Sequence, residues 1–153
     1  MLGKLAKELR MLGYDTVYYR GEKGYALLKL GREEGRMILT RSTQLIPKRP
    51  EDRIVRIMED EPSSQLRELI QAKVIHLDEE TPFSRCLACN MLLHEIPRDD
   101  AEGKVPDFIF YHHKEFFQCP QCSRIYWQGS HLDRMKTKME GLFGKPVASE
   151  LPR

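Results

Sequence analysis

Leu2, Leu5, Leu9 and Leu12 recur at spacings of three and four through a segment rich in Lys, Glu and Ala, which puts them on one face of a helix. Gly13 follows where a left-handed C-terminal cap belongs, so the spacing predicts a helix over 2–12. Residues 14–19 gather Tyr14, Thr16, Val17, Tyr18 and Tyr19, a β-branched and aromatic run that reads as a strand. Helical spacing returns over 25–34 with Leu27, Leu28 and Leu30, and Gly35 ends it. Met37, Ile38 and Leu39 centre a short apolar run over 36–40 of the kind buried in a parallel sheet, and Pro47 and Pro50 mark the loop beyond it. A further strand fits 53–58. Acids and Pro62 then open a helix whose buried stripe is Leu66, Leu69 and Ile70, running to about Ala72. Residues 73–77 suit a last strand or a linker.

Alternating helices and strands over 1–77 predict an α/β layer around a parallel sheet, because parallel neighbours need crossover helices. A helix that opens at residue 2 has no strand ahead of it in such a layer. Either the sheet begins with 14–19, or an element precedes the helix. Around Thr81 and Pro82 the pattern changes to short elements, turns and cysteines. The expected organisation is therefore an α/β domain over 1–80, a cysteine module with a C-terminal helix over 81–145, and a flexible tail over 146–153.

At 153 residues, with 41% hydrophobic and 31% charged, the chain has the balance of a soluble folded protein and no room for a second large core. Its net charge is only +2, spread evenly, so composition does not by itself announce a nucleic-acid binder. No apolar run approaches the roughly 20 residues that cross a bilayer, and no leader-like segment opens the chain. A cytoplasmic protein with no membrane contact is expected. In a reducing compartment, paired cysteines point to metal rather than to disulfides.

The four cysteines form two pairs, Cys86 with Cys89 and Cys119 with Cys122, separated by residues 90–118. Each pair offers two thiolates from one tight turn, and two turns complete a tetrahedral shell for zinc. The four-cysteine set leaves no open position for water, so the predicted zinc is structural, and His94, His112, His113 and His131 are not needed as ligands. The separation exceeds the roughly 15–20 residues of common zinc modules, which predicts an inserted helix or hairpin. Cys119-Pro120-Gln121-Cys122 also has the form of a thioredoxin-like redox motif. There the motif opens a helix, whereas here strand-like Ile125, Tyr126 and Trp127 follow.

The stretch from Phe83 through both cysteines of the first pair to Asn90, residues 119–135 with Trp127, Gly129, Ser130 and His131, residues 1–15, and residues 32–41 with Thr40-Arg41 together resemble the Mut7-C family. The resemblance covers most of residues 1–140. It implies a PIN-like nuclease fold followed by a zinc ribbon, RNA as substrate, and clustered carboxylates holding Mg2+ or Mn2+ for attack on a phosphodiester. It also implies a strand ending in aspartate just ahead of Met1, which favours a start upstream. A second aspartate is implied directly after Thr40-Arg41, where this chain has Ser42. The acidic residues expected near the second helix give way to residues 20–24, of which only Glu22 is acidic. Asp15 and Glu22 are the remaining catalytic candidates, and the acidic metal site reads as degenerate.

RNA contact, if made, is expected from Arg41, Arg124, Trp127, His131 and Arg134. Trp127 admits two readings: a stacking surface for bases, or a packing residue seating the ribbon on the α/β domain, which its usual burial favours. Ser130 suits a helix cap. Three functions compete: a metal-dependent ribonuclease, a relative that binds RNA without cutting it, and a module that binds a protein partner or a second copy of itself. The degenerate acidic set favours the second.

Overall fold

The computed structural model describes residues 2–22, 24–76 and 84–127, with Thr137 and Gly141 beyond them. The expected C-terminal helix, the Ser130 cap, the tail, His131, Arg134 and the junction at Thr81 and Pro82 lie outside the described residues, apart from those two positions. Along the chain run α1 (Gly3–Met11), α2 (Tyr25–Glu34), β1 (Ile38–Thr40), β2 (Ile54–Arg56), α3 (Pro62–Gln71), β3 (His94–Ile96), a 3-10 turn (Arg98–Ala101), α4 (Asp107–His112), β4 (Phe116–Gln118) and β5 (Ile125–Trp127). They fall into two compact units, residues 1–6 with 17–74 and residues 7–16 with 75–153. The architecture is mixed α/β with one small parallel sheet and one antiparallel sheet.

In the first unit β1 and β2 pair in parallel, with Ile38 opposite Ile54 and Thr40 opposite Arg56. Leu28 of α2, Ile38, Ile57, and Leu66 and Leu69 of α3 are its buried apolar residues beside Leu5 and Ala6; the apolar pattern selects Leu5, Leu28, Ile38, Leu66 and Leu69 among them. Gly35 closes α2 with φ 65°, and the N–H of Arg36 reaches back to the carbonyl of Gly31 at 2.8 Å, the left-handed cap the sequence announces. Pro62 opens α3 at its first turn, where its missing N–H has no helical acceptor to lose. The loop between the strands is anchored by Asp52, whose carboxylate accepts the N–H groups of Lys48 and Arg49 at 2.8 and 2.9 Å and pairs with buried Arg32 at 3.3 Å.

The strand expected over 14–19 does not form: residues 14–20 carry no strand pairing. β-propensity expresses fit to a partner strand, and among the described residues neither sheet takes this segment as a strand. Residues 73–76 are likewise not a strand. Lys73 instead takes φ 59° just past α3, and Val74 N–H bonds back to Leu69 at 2.9 Å, a helix-ending turn.

In the second unit β3, β4 and β5 form an antiparallel sheet in that order. Ile96, Phe116 and Trp127 stand in one row across it. Ala101, Val105 and Phe110 from the connecting segment cover that row, with Ile109, Ile125 and Trp127 packed against the cluster. The expected insertion is thus a 3-10 turn and a short helix. Arg98 locks it, donating to the carbonyls of Phe110 at 2.7 Å and His113 at 3.3 Å.

Candidate functional site

The two cysteine turns are built alike. In the first, Cys86 N–H donates to Met91 and Asn90 N–H returns to Cys86, at 2.8 and 2.9 Å. In the second, Cys119 N–H donates to Arg124 and Ser123 N–H returns to Cys119, both at 3.0 Å. The residue after each second cysteine takes the left-handed conformation, Asn90 at φ 67° and Ser123 at φ 66°. That reversal turns both thiols of a pair inward. Backbone N–H groups of Cys89, Gln121 and Cys122 point at the sulfurs of Cys86 and Cys119 at 3.4 to 3.5 Å, donors suited to stabilising thiolate charge.

All four sulfurs lie within 4.8 Å of one another, and Cys86 Sγ is 3.6 Å from Cys122 Sγ. Metal–sulfur bonds near 2.3 Å in a tetrahedron place sulfurs roughly 3.8 Å apart, so the cluster fits a four-thiolate ion. The four cysteines could hold a metal such as zinc, as a zinc ribbon does. Burial pushes the Cys89 thiol up to about 12, while the backbone N–H of Arg124 pulls Cys122 down to about 6, helped by the Arg124 side chain and the neighbouring thiols. A divalent ion removes that conflict by holding all four as thiolates.

Around the cysteines lies a shell that sequence spacing does not disclose. Tyr126 holds its hydroxyl 3.1 Å from Cys86 Sγ and accepts Leu87 N–H at 3.2 Å; burial there, followed by the Cys86 contact, raises its phenol above the ordinary range. Arg10 is 9% exposed and donates from Nη1 to the Leu87 carbonyl at 2.7 Å and from Nε to the Thr16 carbonyl at 2.9 Å. Arg85 reaches Gly13 and Asn90 carbonyls at 3.2 and 2.8 Å. Asn90 accepts Thr16 N–H at 2.9 Å and donates to the Asp15 carboxylate at 2.6 Å. Partners more than 70 residues apart give no local periodicity to read. The one sequence hint is Asn90 itself, since Asn tolerates the left-handed region.

Asp15, a catalytic candidate, therefore binds the first cysteine turn. Glu22 is exposed, and its carbonyl accepts the Tyr19 hydroxyl. Neither belongs to a metal-holding group: among the described residues, the four cysteines are the only cluster of three or more His, Cys, Asp or Glu within ligand reach. At the C-terminal end of β1, Arg41 bonds to the Glu59 carbonyl and pairs with Asp60 at 2.5 Å. Ser42 beside it bonds Thr40 Oγ1 through its N–H at 3.0 Å and accepts Gln44 N–H at 3.2 Å.

Arg124 is exposed, and its guanidinium hydrogen-bonds to the Cys122 sulfur. Trp127 is half-buried against the insertion's own apolar cluster. Within the second unit, Trp127 packs against residues that the long connection brings back to the sheet.

Among the described residues no helix is long and apolar enough to cross a membrane. No curated protein and no solved structure matches the chain. The family model described as the Mut7-C RNAse domain matches residues 1–139, a span that contains every element named above, and the chain belongs to the Mut7-C RNAse domain family.

Proposed function

We propose that this chain binds RNA without cutting it by metal-dependent hydrolysis, and that its four cysteines hold one structural zinc ion. Family membership supports RNA as the ligand. One observation carries the loss of cleavage. In open α/β sheets, ligands and chemistry sit beyond the C-terminal strand ends, and there the Asp60 carboxylate is paired with Arg41 while Ser42 occupies the neighbouring slot. Hydrolysis of this type needs several carboxylates to neutralise and hold a hard cation. A guanidinium at that place repels the cation instead.

RNA contacts are assigned to Arg124 and Trp127 on the ribbon, with His131 and Arg134 following them in sequence. Arg41 is engaged by the Glu59 carbonyl and Asp60 and Arg124 by the Cys122 sulfur, so each would meet a phosphate through its remaining N–H donors. Mg2+ or Mn2+ enters only if cleavage occurs. The test incubates the zinc-loaded chain with labelled single-stranded RNA and either cation, reading retention and product together. Bound, intact RNA is expected. Robust cleavage that Glu22→Gln or Asp15→Asn abolishes overturns the proposal.

A second reading, a module for a protein partner or a second copy, is favoured by one feature: Phe108 and Tyr111 on α4 are 67% and 71% exposed. Under that reading Phe108→Asp breaks a complex detectable by light scattering while leaving RNA retention alone.

A further inference from the structure

Strand alternation sorts the ribbon sheet into two faces. Phe117 and Tyr126 share one face, with Tyr126 at the cysteines. Phe116, Gln118, Ile125 and Trp127 share the other. The insertion covers the row of Ile96, Phe116 and Trp127, and where that cover stops, a groove of about 510 Å³ opens along Gln118 and Ile125. Lys104 and Pro106 line it from the insertion, and Arg124 and Trp127 from the strand side.

The lining contains two cations, Lys104 and Arg124, and no Asp or Glu. Both cations are exposed, Lys104 facing solvent and Arg124 keeping N–H donors beyond the one it gives the Cys122 sulfur. The groove is open to solvent along its length, so it can take one unit of a longer strand but does not enclose a small molecule. A half-buried indole, an amide side chain and two flanking cations are the groups that take an unpaired base and its phosphates: the ring stacks, the amide reads a base edge, and the cations meet the backbone.

We propose that this groove seats one unpaired nucleotide of single-stranded RNA, its base against Trp127 and Gln118 and its phosphates between Lys104 and Arg124. The inference rests on the RNA-binding reading and adds to it the site and the strandedness of the ligand. A duplex cannot enter, because its bases are stacked and paired and its contacts are restricted to backbone and groove edges.

Trp127 is the sole tryptophan of the chain, so all tryptophan emission comes from the indole that lines this groove. The experiment titrates the zinc-loaded full chain with a fluorescently labelled ten-nucleotide oligouridylate and with the same strand paired to oligoadenylate. It follows label anisotropy for total binding and Trp127 emission for the groove. The single strand is expected to quench Trp127 with the midpoint seen by anisotropy, and the duplex to bind more weakly without quenching. Lys104→Gln, which alters an exposed side chain remote in sequence from the cysteines, should keep its zinc, weaken single-strand binding several-fold, and lower the slope of log affinity against log salt by about one. Binding by anisotropy with unchanged Trp127 emission and no effect of Lys104→Gln overturns the groove and leaves the RNA reading standing. No binding of either RNA at physiological salt overturns both. Equal quenching by polyglutamate overturns the nucleotide and leaves only a site for polyanions.

Discussion

Replacing Arg10 by Met keeps most of the apolar stem and removes two charge-assisted donors at a site that is 9% exposed. The donors hold the Leu87 carbonyl inside the first cysteine turn at 2.7 Å and the Thr16 carbonyl at 2.9 Å. Hydrogen bonds from a charged group contribute about 1.5–3 kcal/mol each, which gives roughly 3–6 kcal/mol for the pair. Both acceptor residues are half-buried, so water recovers part of the loss and the lower end, about 3 kcal/mol, is the better expectation. At about 1.4 kcal/mol per factor of ten, that is roughly a hundredfold increase in opening of the turn. The assay is amide hydrogen exchange of the zinc-loaded chain at Cys86 and Asn90, whose N–H groups close the turn, with zinc release to a colorimetric chelator followed in parallel. Arg10→Lys keeps the charge but cannot span two diverging acceptors, so about half the effect should remain. Exchange at both amides within about threefold of the parent, roughly 0.7 kcal/mol, would refute the claim that Arg10 holds the cysteine turn in place.

Cys119→Ser should abolish stoichiometric zinc and unfold the ribbon while far-UV helicity from α2 and α3 survives, because metal binding supplies much of the folding free energy of such modules; an unchanged near-UV signal from Trp127 would contradict it. Zinc affinity should strengthen by about tenfold or more per pH unit from 7 to 8, since burial holds the Cys89 thiol up at about 12 in the metal-free chain and its proton must leave on binding; a flat profile would mean that thiol is not a ligand. Ser42→Asp should fold normally, because a carboxylate can accept Gln44 N–H as the hydroxyl does, and should raise Mn2+ binding measured by electron paramagnetic resonance; no gain would place the strand-end site elsewhere. Ser123→Gly and Asn90→Gly relieve the same left-handed strain, about 1 kcal/mol. Only the second also loses bonds to Asp15 and Thr16, so thermal melts should show Ser123→Gly neutral or stabilising and Asn90→Gly destabilising.

The two halves of the problem differ in how local their causes are. Helices α1, α2 and α3 follow from leucine spacing closed by a cap or opened by Pro62, because each depends on residues within one or two turns. The cysteine cluster is legible for the same reason: each pair of ligands comes from four consecutive residues, and only the meeting of the pairs is long-range. The segment 14–19 has strand composition, yet what its backbone binds is a side chain, Asn90, 74 residues away from Thr16. Nothing in its own alternation could disclose that. Trp127 shows a milder form of the problem. Its burial is expected from its type, while the cluster it packs against includes Val105 and Phe110 from the long connection, whose path no periodicity announces.

Asp15 joins these observations. By residue type it is as good a divalent-ion ligand as any carboxylate, and the residues around it carry the family resemblance. Yet Arg10, Gly13, Asp15 and Thr16 each hydrogen-bond into residues 85–90. Such a motif can be required by architecture alone, since removing any member leaves a polar group facing the cysteine turn without its partner. A carboxylate that must orient Asn90 in its left-handed turn has one oxygen already committed at 2.6 Å. A cation at Asp15 would have to share that carboxylate with Asn90, through its other oxygen. Among the described residues Asp15 belongs to the support of the first cysteine turn, and the four converging sulfurs are the group that could hold a metal ion.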